Sequence, residues 1–184
     1  MVASRESIVS DTNTDLDFTH WTPPSPDAPK PAGPKRSLLA TRADFAQALD
    51  VLIRHTERSL RIFDPNLADY DLGSPAREAQ LGEFLRKGRA NRLMIAVHDI
   101  AFITQRAPRL TRLLRQFSHA IAIHQTHEAI RNVDDVLVIG DDDYCLRRPH
   151  SAQPKGIFLE NDPVETRGWL NRFEEVWEQS SPAV

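Results

Sequence analysis

The sequence contains one cysteine, Cys145, in 184 residues, which excludes an internal disulfide framework and a cysteine-rich zinc site. Its seven glycines are scattered without G-x-G-x-x-G or Walker spacing, so the common phosphate-cradling loops are missing. No apolar run approaches the roughly 18 residues that a membrane-spanning helix needs, and mean hydropathy is −0.45. The first thirty residues hold no apolar signal-type segment, and a reducing, cytoplasmic setting is expected. Charge of one sign is also lacking: 23 Lys+Arg stand against 26 Asp+Glu, a net charge of −3 that excludes a generally basic nucleic-acid coat protein. H-E-x-x-H and related ligand spacings do not occur, and neither a metal site nor a cofactor is expected.

What is present is unevenly placed. Six of the 13 prolines fall in residues 1–36, four of them between Pro26 and Pro34. A segment with that composition and no apolar periodicity predicts a flexible, polyproline-like arm over 1–36. Within it, Asp15-Leu16-Asp17-Phe18 and Trp21 form a candidate docking element. One folded domain is expected over 37–184, since the length suits a single core and not two.

From Ser37 onward helical and extended patterns alternate. Phe45, Ala48, Leu49, Leu52 and Ile53 recur at helical spacing behind Thr41, an N-cap with Asp44 three residues on. Residues Ser59 to Asp64 read as a strand stopped by Pro65. Ser74-Pro75 starts a second helix with Leu81, Phe84 and Leu85 on its apolar face, and Gly88 is placed to end it. Leu93 to Val97 is apolar throughout, as a strand buried on both faces should be. A helix after Pro108 presents Leu110, Leu113, Leu114 and Phe117, and Ala120 to Ile123 gives a third strand. Val136–Ile139 and Tyr144–Leu146 flank an acidic hairpin turn, Gly156–Leu159 is one more strand, and a last helix follows Asp162-Pro163. This order predicts an α/β domain with a mixed sheet flanked by helices.

Ligands in open α/β sheets gather beyond the carboxyl ends of the strands. Three candidate strands end at Asp64, at His98-Asp99 and at His124, with His127 in a nearby loop. Such a rim suits an anion site, with His98, His124 and His127 as donors and Arg131, Arg147 or Arg148 as charge. Residues 86–115 carry eight cations against the single acid Asp99, while 128–143 carry six acids against Arg131. Arg109, Arg112 and Arg115 lie opposite the Leu110/Leu113/Leu114 stripe, so they are expected to face solvent, where they could follow a phosphate backbone. The acidic turn could meet the basic face of a second copy. Cys145, inside an apolar strand, is expected to be a buried, inert thiol.

The order of elements resembles a phospholipase D-like half over roughly residues 40–180. The resemblance rests on Leu60–Asp64, on Leu85-Arg86-Lys87-Gly88-Arg89 leading into Leu93–Val97, on Asp134 to Asp141 followed by a hairpin, and on the closing Phe173-Glu174-Glu175-Val176-Trp177. More narrowly, it looks like a bacterial domain of unknown function sometimes fused to GNAT-type acetyltransferases. Active members of the superfamily carry H-x-K-x-x-x-x-D: the His attacks phosphorus, the Lys neutralises developing charge, the Asp orients a His, and two copies meet at a two-fold axis. The register that places the apolar strand before the acid ends at Asp141 and puts Asp134 at the His position and Val136 at the Lys position. Asp134 would repel a phosphate and Val136 carries no charge. A second register keeps His127 and Asp134 around Ala129, losing the Lys, across a poorer strand pattern. Arg147-Arg148-Pro149 occupies the neighbourhood of the family's Gly-Ser-x-Asn segment.

The resemblance therefore implies a domain that has lost catalysis and serves as a binding or scaffolding module, paired as a homodimer. The enzyme alternative is a phosphodiesterase or nuclease using His127 and Asp134, with Arg131 in place of the Lys. A third alternative is nucleic-acid binding through Arg109, Arg112 and Arg115.

Overall fold

The computed structural model describes residues 19–183, with side chains from Trp21 onward. It contains nine strands and five α-helices: β1 (Thr19–His20), β2 (Lys35–Leu39), α1 (Arg42–His55), β3 (Ser59–Asp64), α2 (Pro75–Lys87), β4 (Arg92–Val97), α3 (Ala101–Arg106), α4 (Pro108–Gln116), β5 (Ile121–Thr126), β6 (Val136–Gly140), β7 (Tyr144–Arg148), β8 (Gly156–Glu160), α5 (Pro163–Glu178) and β9 (Ser180–Pro182). One sheet holds them in the order β1-β2-β8-β7-β6-β3-β4-β5-β9. β3, β4 and β5 run parallel, whereas β6 is antiparallel to β3 and begins an antiparallel run through β7, β8 and β2. The expected mixed sheet flanked by helices is what forms.

Local chemistry explains the strongest elements. Thr41 and Asp44 complete a reciprocal capping box at the start of α1, a device worth ~1 kcal/mol. Ser74 accepts from the Arg77 amide at the start of α2, with Pro75 at the first helical position. α2 stops at Gly88, whose extended backbone (φ −156°) makes no use of left-handed freedom. Space is what matters there: an added Cβ would lie 2.7 Å from Asn91 Oδ1, and Asn91 Nδ2 closes the helix end by donating to Phe84 O at 2.7 Å.

The sheet buries both faces. Leu60, Ile62, Leu93, Ile95, Val136 and Val138 pack beneath apolar residues of α1, α2 and α4. Phe63, Ala96, Leu137, Ile139, Cys145 and Leu159 pack beneath Phe173 and Val176 of α5. The fully buried Cys145 thiol is pushed up by desolvation, consistent with an inert residue.

The expected arm over 1–36 is corrected in its described part, and residues 1–18, with Asp15–Phe18 of the candidate docking element, lie outside the described residues. β2 begins at Lys35, before Ser37, and β1 pairs beside it in parallel. Trp21 is buried edge-on against Phe158, with ring centroids 6.2 Å apart. Lys30 lies 5.5 Å from the centre of the Tyr144 ring, and Asn161 Nδ2 donates to Pro31 O at 2.9 Å. A single buried indole and two tethers suffice because proline-rich chain has less entropy to lose on ordering.

Candidate functional site

The hairpin β6–β7 carries the resemblance, and β6 fixes its register. β6 begins at Val136 and ends at Gly140, so Asp141 follows the strand and Asp134 precedes it by two residues. The competing stretch from His127 to Asp134 is a short 3-10 turn (Glu128–Ile130) and loop, with no strand. The first register is thus the structural one.

Asp141 sits at φ 51°, a left-handed conformation that aspartate tolerates better than most residues. Its carboxylate accepts three amides: Glu57 at 2.9 Å, Arg58 at 2.8 Å and Ser59 at 3.0 Å. Arg61 donates to the Asp141 carbonyl at 3.0 Å. This Asp orients no histidine; it clamps the turn between α1 and β3. The Asp141 carboxylate is therefore held within the chain. Asp142 likewise lies 3.8 Å from Arg61.

At the His position, Asp134 Oδ1 accepts from the Ser151 hydroxyl and Oδ2 lies 3.8 Å from His150 Nδ1. At the Lys position, Val136 is fully buried in the core. Neither residue at the motif's His and Lys positions is a nucleophile or a cation; the histidine and hydroxyl beside Asp134 come from the loop after β7. His127, expected as the alternative nucleophile, is exposed with Nε2 2.8 Å from Ser181 Oγ of β9, so Asp134 and His127 hold different partners.

The histidine rim does not act as one group. His98 is buried; Nε2 donates to Val133 O at 2.6 Å, and Nδ1 meets the Thr126 hydroxyl. Both ring nitrogens are consumed, and Phe63 packs edge-on at 5.4 Å. His124 stacks on Trp177 with centroids 3.8 Å apart, and burial pushes its imidazole below the ordinary value. Each expected donor has become a tie between elements: β4 to the loop before β6, β5 to α5, and the loop after β5 to β9.

The expected arginines are similarly occupied. Arg148 is fully buried, its guanidinium 2.7 Å from Asp69 Oδ2, 3.8 Å from Asp64 Oδ2 and 4.4 Å from the centre of the Phe45 ring. Asp64 is buried too and accepts from the Asn66 and Leu67 amides at 2.8 and 2.7 Å. Desolvation raises its carboxyl above the usual range, opposed by those two amides and by Arg148. Arg42 joins the network by pairing with Asp69. Arg147 lies 4.0 Å over the Trp169 ring, and Arg131 pairs with Glu128 at 3.0 Å.

Arg112 and Arg115 face solvent as expected, while Arg109 is half-buried. Arg109 and Arg112 pair with Glu78 of α2 at 2.7 and 2.8 Å, holding α4 against α2, and Arg115 is exposed without a described carboxylate partner. Asp69, Arg42, Ser151 and Ser181 were not anticipated as partners. Each lies far along the chain from the residue it holds, and no local pattern signals that. Among the described residues no group of three His, Cys, Asp or Glu could hold a metal ion, and no helix is long and apolar enough to cross a membrane.

Comparison with solved structures finds the same fold at low identity. Nuc from Salmonella typhimurium, a phospholipase D family member, matches at 14% identity and TM-score 0.57 over 82% of this chain and 98% of that one. NucT from Helicobacter pylori matches at 11% and 0.50, over 82% and 99%. TrmBL2, an archaeal chromatin protein described with a novel mode of DNA binding, matches at 9% and 0.61; this chain, over 81% of its length, spans 54% of that one. No curated protein matches the sequence. The parallel trio β3–β5 with the β6–β7 hairpin beside it is thus a phospholipase D-like fold. Residues 41–184 match the family described as Domain of unknown function (DUF7931), and the chain belongs to that family.

Proposed function

We propose that this chain is a phospholipase D-like domain that does not catalyse phosphodiester transfer and works as a binding or scaffolding module, paired with a second copy of itself. One observation carries the reading: the head of β6 presents Asp134, engaged by Ser151 and His150, and a fully buried Val136. A carboxylate there repels the phosphate that a nucleophile must approach, and a valine cannot neutralise charge on phosphoryl oxygens. His98 cannot substitute, because both of its nitrogens are committed inside the fold. The pairing follows from the resemblance, since two phospholipase D-like halves meet at a two-fold axis in active members of that superfamily.

The test is turnover of bis(p-nitrophenyl) phosphate and of plasmid DNA by the full chain. The expected result is hydrolysis equal to the buffer blank, with His127→Ala and Asp134→Ala indistinguishable from the parent. Hydrolysis that disappears in His127→Ala would establish the enzyme reading instead. Light scattering at micromolar concentration reads the pairing, with a dimer mass expected and a monomer mass opposing it.

A further inference from the structure

We infer that the chain binds the phosphate backbone of a nucleic-acid duplex through the end of the domain where the parallel strands begin, opposite the end that carries Asp64, His98 and Asp134. The inference rests on the binding half of the reading above, and on the end of the sheet away from Asp134 and Val136 at the head of β6.

Topology makes this surface. β3, β4 and β5 are parallel and start side by side, with Ser59 opposite Arg92 and Leu93 opposite Ile121. α1, which packs over β6, β7 and β8, and α2 and α4 each lead by a short connection into β3, β4 and β5, so their carboxyl ends arrive at the end of the sheet where those strands start. Arg54, Lys87 and Arg115 occupy those three helix ends, while Arg58, Arg89 and Arg92 lie in the chain leading into β3 and β4. Local contacts confirm the clustering. The Arg92 amide donates to Arg58 O at 2.9 Å, and Lys87 Nζ lies 3.5 Å from Arg54 O. Arg54 and Lys87 also line one groove together with Lys30 and His55.

None of the six forms an ion pair with a described carboxylate, in contrast to Arg42, Arg61, Arg77, Arg109 and Arg112, which all do. Of the acids at this end, Asp141 is held by three backbone amides, Asp142 and Glu57 are exposed at 3.8 Å from Arg61 and Lys30, and Asp143 lies in the same hairpin turn. Glu83, one turn before Lys87, adds a further acid, and the six cations together with Lys30 and Arg61 still outnumber the five acids at this end.

A cation in the last turn of a helix complements the helix dipole, which would account for Arg54, Lys87 and Arg115 without any ligand. It does not account for Arg58, Arg89 and Arg92, which lie outside the helices. Neighbouring strands are about 5 Å apart, and packed helices about 8–10 Å. Cations borne at such spacings along one end lie within reach of several phosphates of a duplex, and Arg92 Nη1 donates to Arg89 O at 3.0 Å, tying two of the six together. An anionic membrane is the less favoured partner. Peripheral attachment gains from apolar insertion, and the exposed large hydrophobics among the described residues, Leu38 and Val164, belong to β2 and α5, which carry none of the six.

The experiment is fluorescence anisotropy of a labelled 20-base-pair DNA duplex titrated with the full chain from 50 to 200 mM salt. Four phosphate contacts would give a log–log slope of about −3.6, a loss of about a hundredfold across that range. The triple variant Arg58→Glu/Lys87→Glu/Arg89→Glu should lose binding at 50 mM salt. The neutral set Arg58→Gln/Lys87→Gln/Arg89→Gln, gentler on folding, should weaken it at least tenfold and flatten the slope. A control with equal sign of change elsewhere, Lys155→Glu/Arg167→Glu, should stay within twofold of the parent. Absence of duplex binding at 50 mM salt, a flat salt response, or an equal loss in the control would overturn the inference. So would binding to phosphatidylserine vesicles without binding to the duplex. Cleavage of a bound duplex would overturn the non-catalytic reading and leave this surface standing, so the two failures are distinguishable.

Discussion

Asp141 and Ser59 hold each other reciprocally: the Asp141 amide donates to Ser59 O at 2.8 Å, while the Ser59 amide donates to the Asp141 carboxylate at 3.0 Å. One residue thereby pins the hairpin turn to the start of β3 across 82 positions of sequence.

Asp141→Ala removes an acceptor shared by three amides and places a Cβ-bearing residue without a compensating side chain at positive φ. Charge-assisted hydrogen bonds of this kind contribute about 1.5–3 kcal/mol each at most and not additively, so a loss of about 3 kcal/mol is expected. Asp141→Asn keeps one acceptor oxygen and tolerates the left-handed backbone, so it should lose less than half as much. Urea midpoints of the two variants check the order.

Arg148 is a buried cation between two carboxylates, and breaking such a group differs from replacing it. Asp69→Ala leaves the guanidinium with Asp64 at 3.8 Å as its nearest remaining anion and should cost about 3–5 kcal/mol. Arg148→Met, combined with Asp64→Asn, removes buried charge of both signs and should cost clearly less. Thermal unfolding of the single and combined variants tests this, and equal losses would contradict it.

His98→Ala opens space and leaves the Val133 carbonyl and the Thr126 hydroxyl without their partner. A loss of about 2–3 kcal/mol in stability is expected, with no change in duplex binding, because the residue lies at the opposite end of β4 from Arg92. A fall in affinity at unchanged fold would place His98 in a ligand site after all.

Burial pushes the imidazoles of His55 and His124 below their ordinary 6.5. Below pH 6.5 the unfolded chain therefore takes up protons before the folded one, and stability falls as pH drops toward the folded values. Asp64 and Asp143, whose carboxyls burial raises, act with the opposite sign at lower pH, down to about 3.8. Urea midpoints should decline between pH 7.5 and 5.5, and His55→Gln/His124→Gln should flatten that decline.

Much of the fold was legible because local rules agreed with the tertiary outcome. The Thr41/Asp44 box, Ser74-Pro75, the apolar β4 and the acidic hairpin turn each formed where the chain announced them. β2 escaped because Ser37, a polar residue facing inward, interrupts the alternation that would reveal a strand. α3 escaped because it is six residues long, lacks a side-chain cap and buries Ile103 alone. The site was harder still. Sequence identified His98, His124 and Arg148 as chemistry-bearing, but their partners Val133, Trp177 and Asp69 are distant in the chain, and only the fold shows that the side chains are already committed.

The two margins of the sheet share one property. β1 is two residues long and runs into Pro23-Pro24, and β9 is three residues long and contains Pro182. Among the described residues both borders are therefore short templates for a further strand, and at β9 Pro182 in addition offers no amide. At the β9 border a second copy of this chain is thereby steered to meet the first through side chains, and ribbon-like growth from that edge is disfavoured.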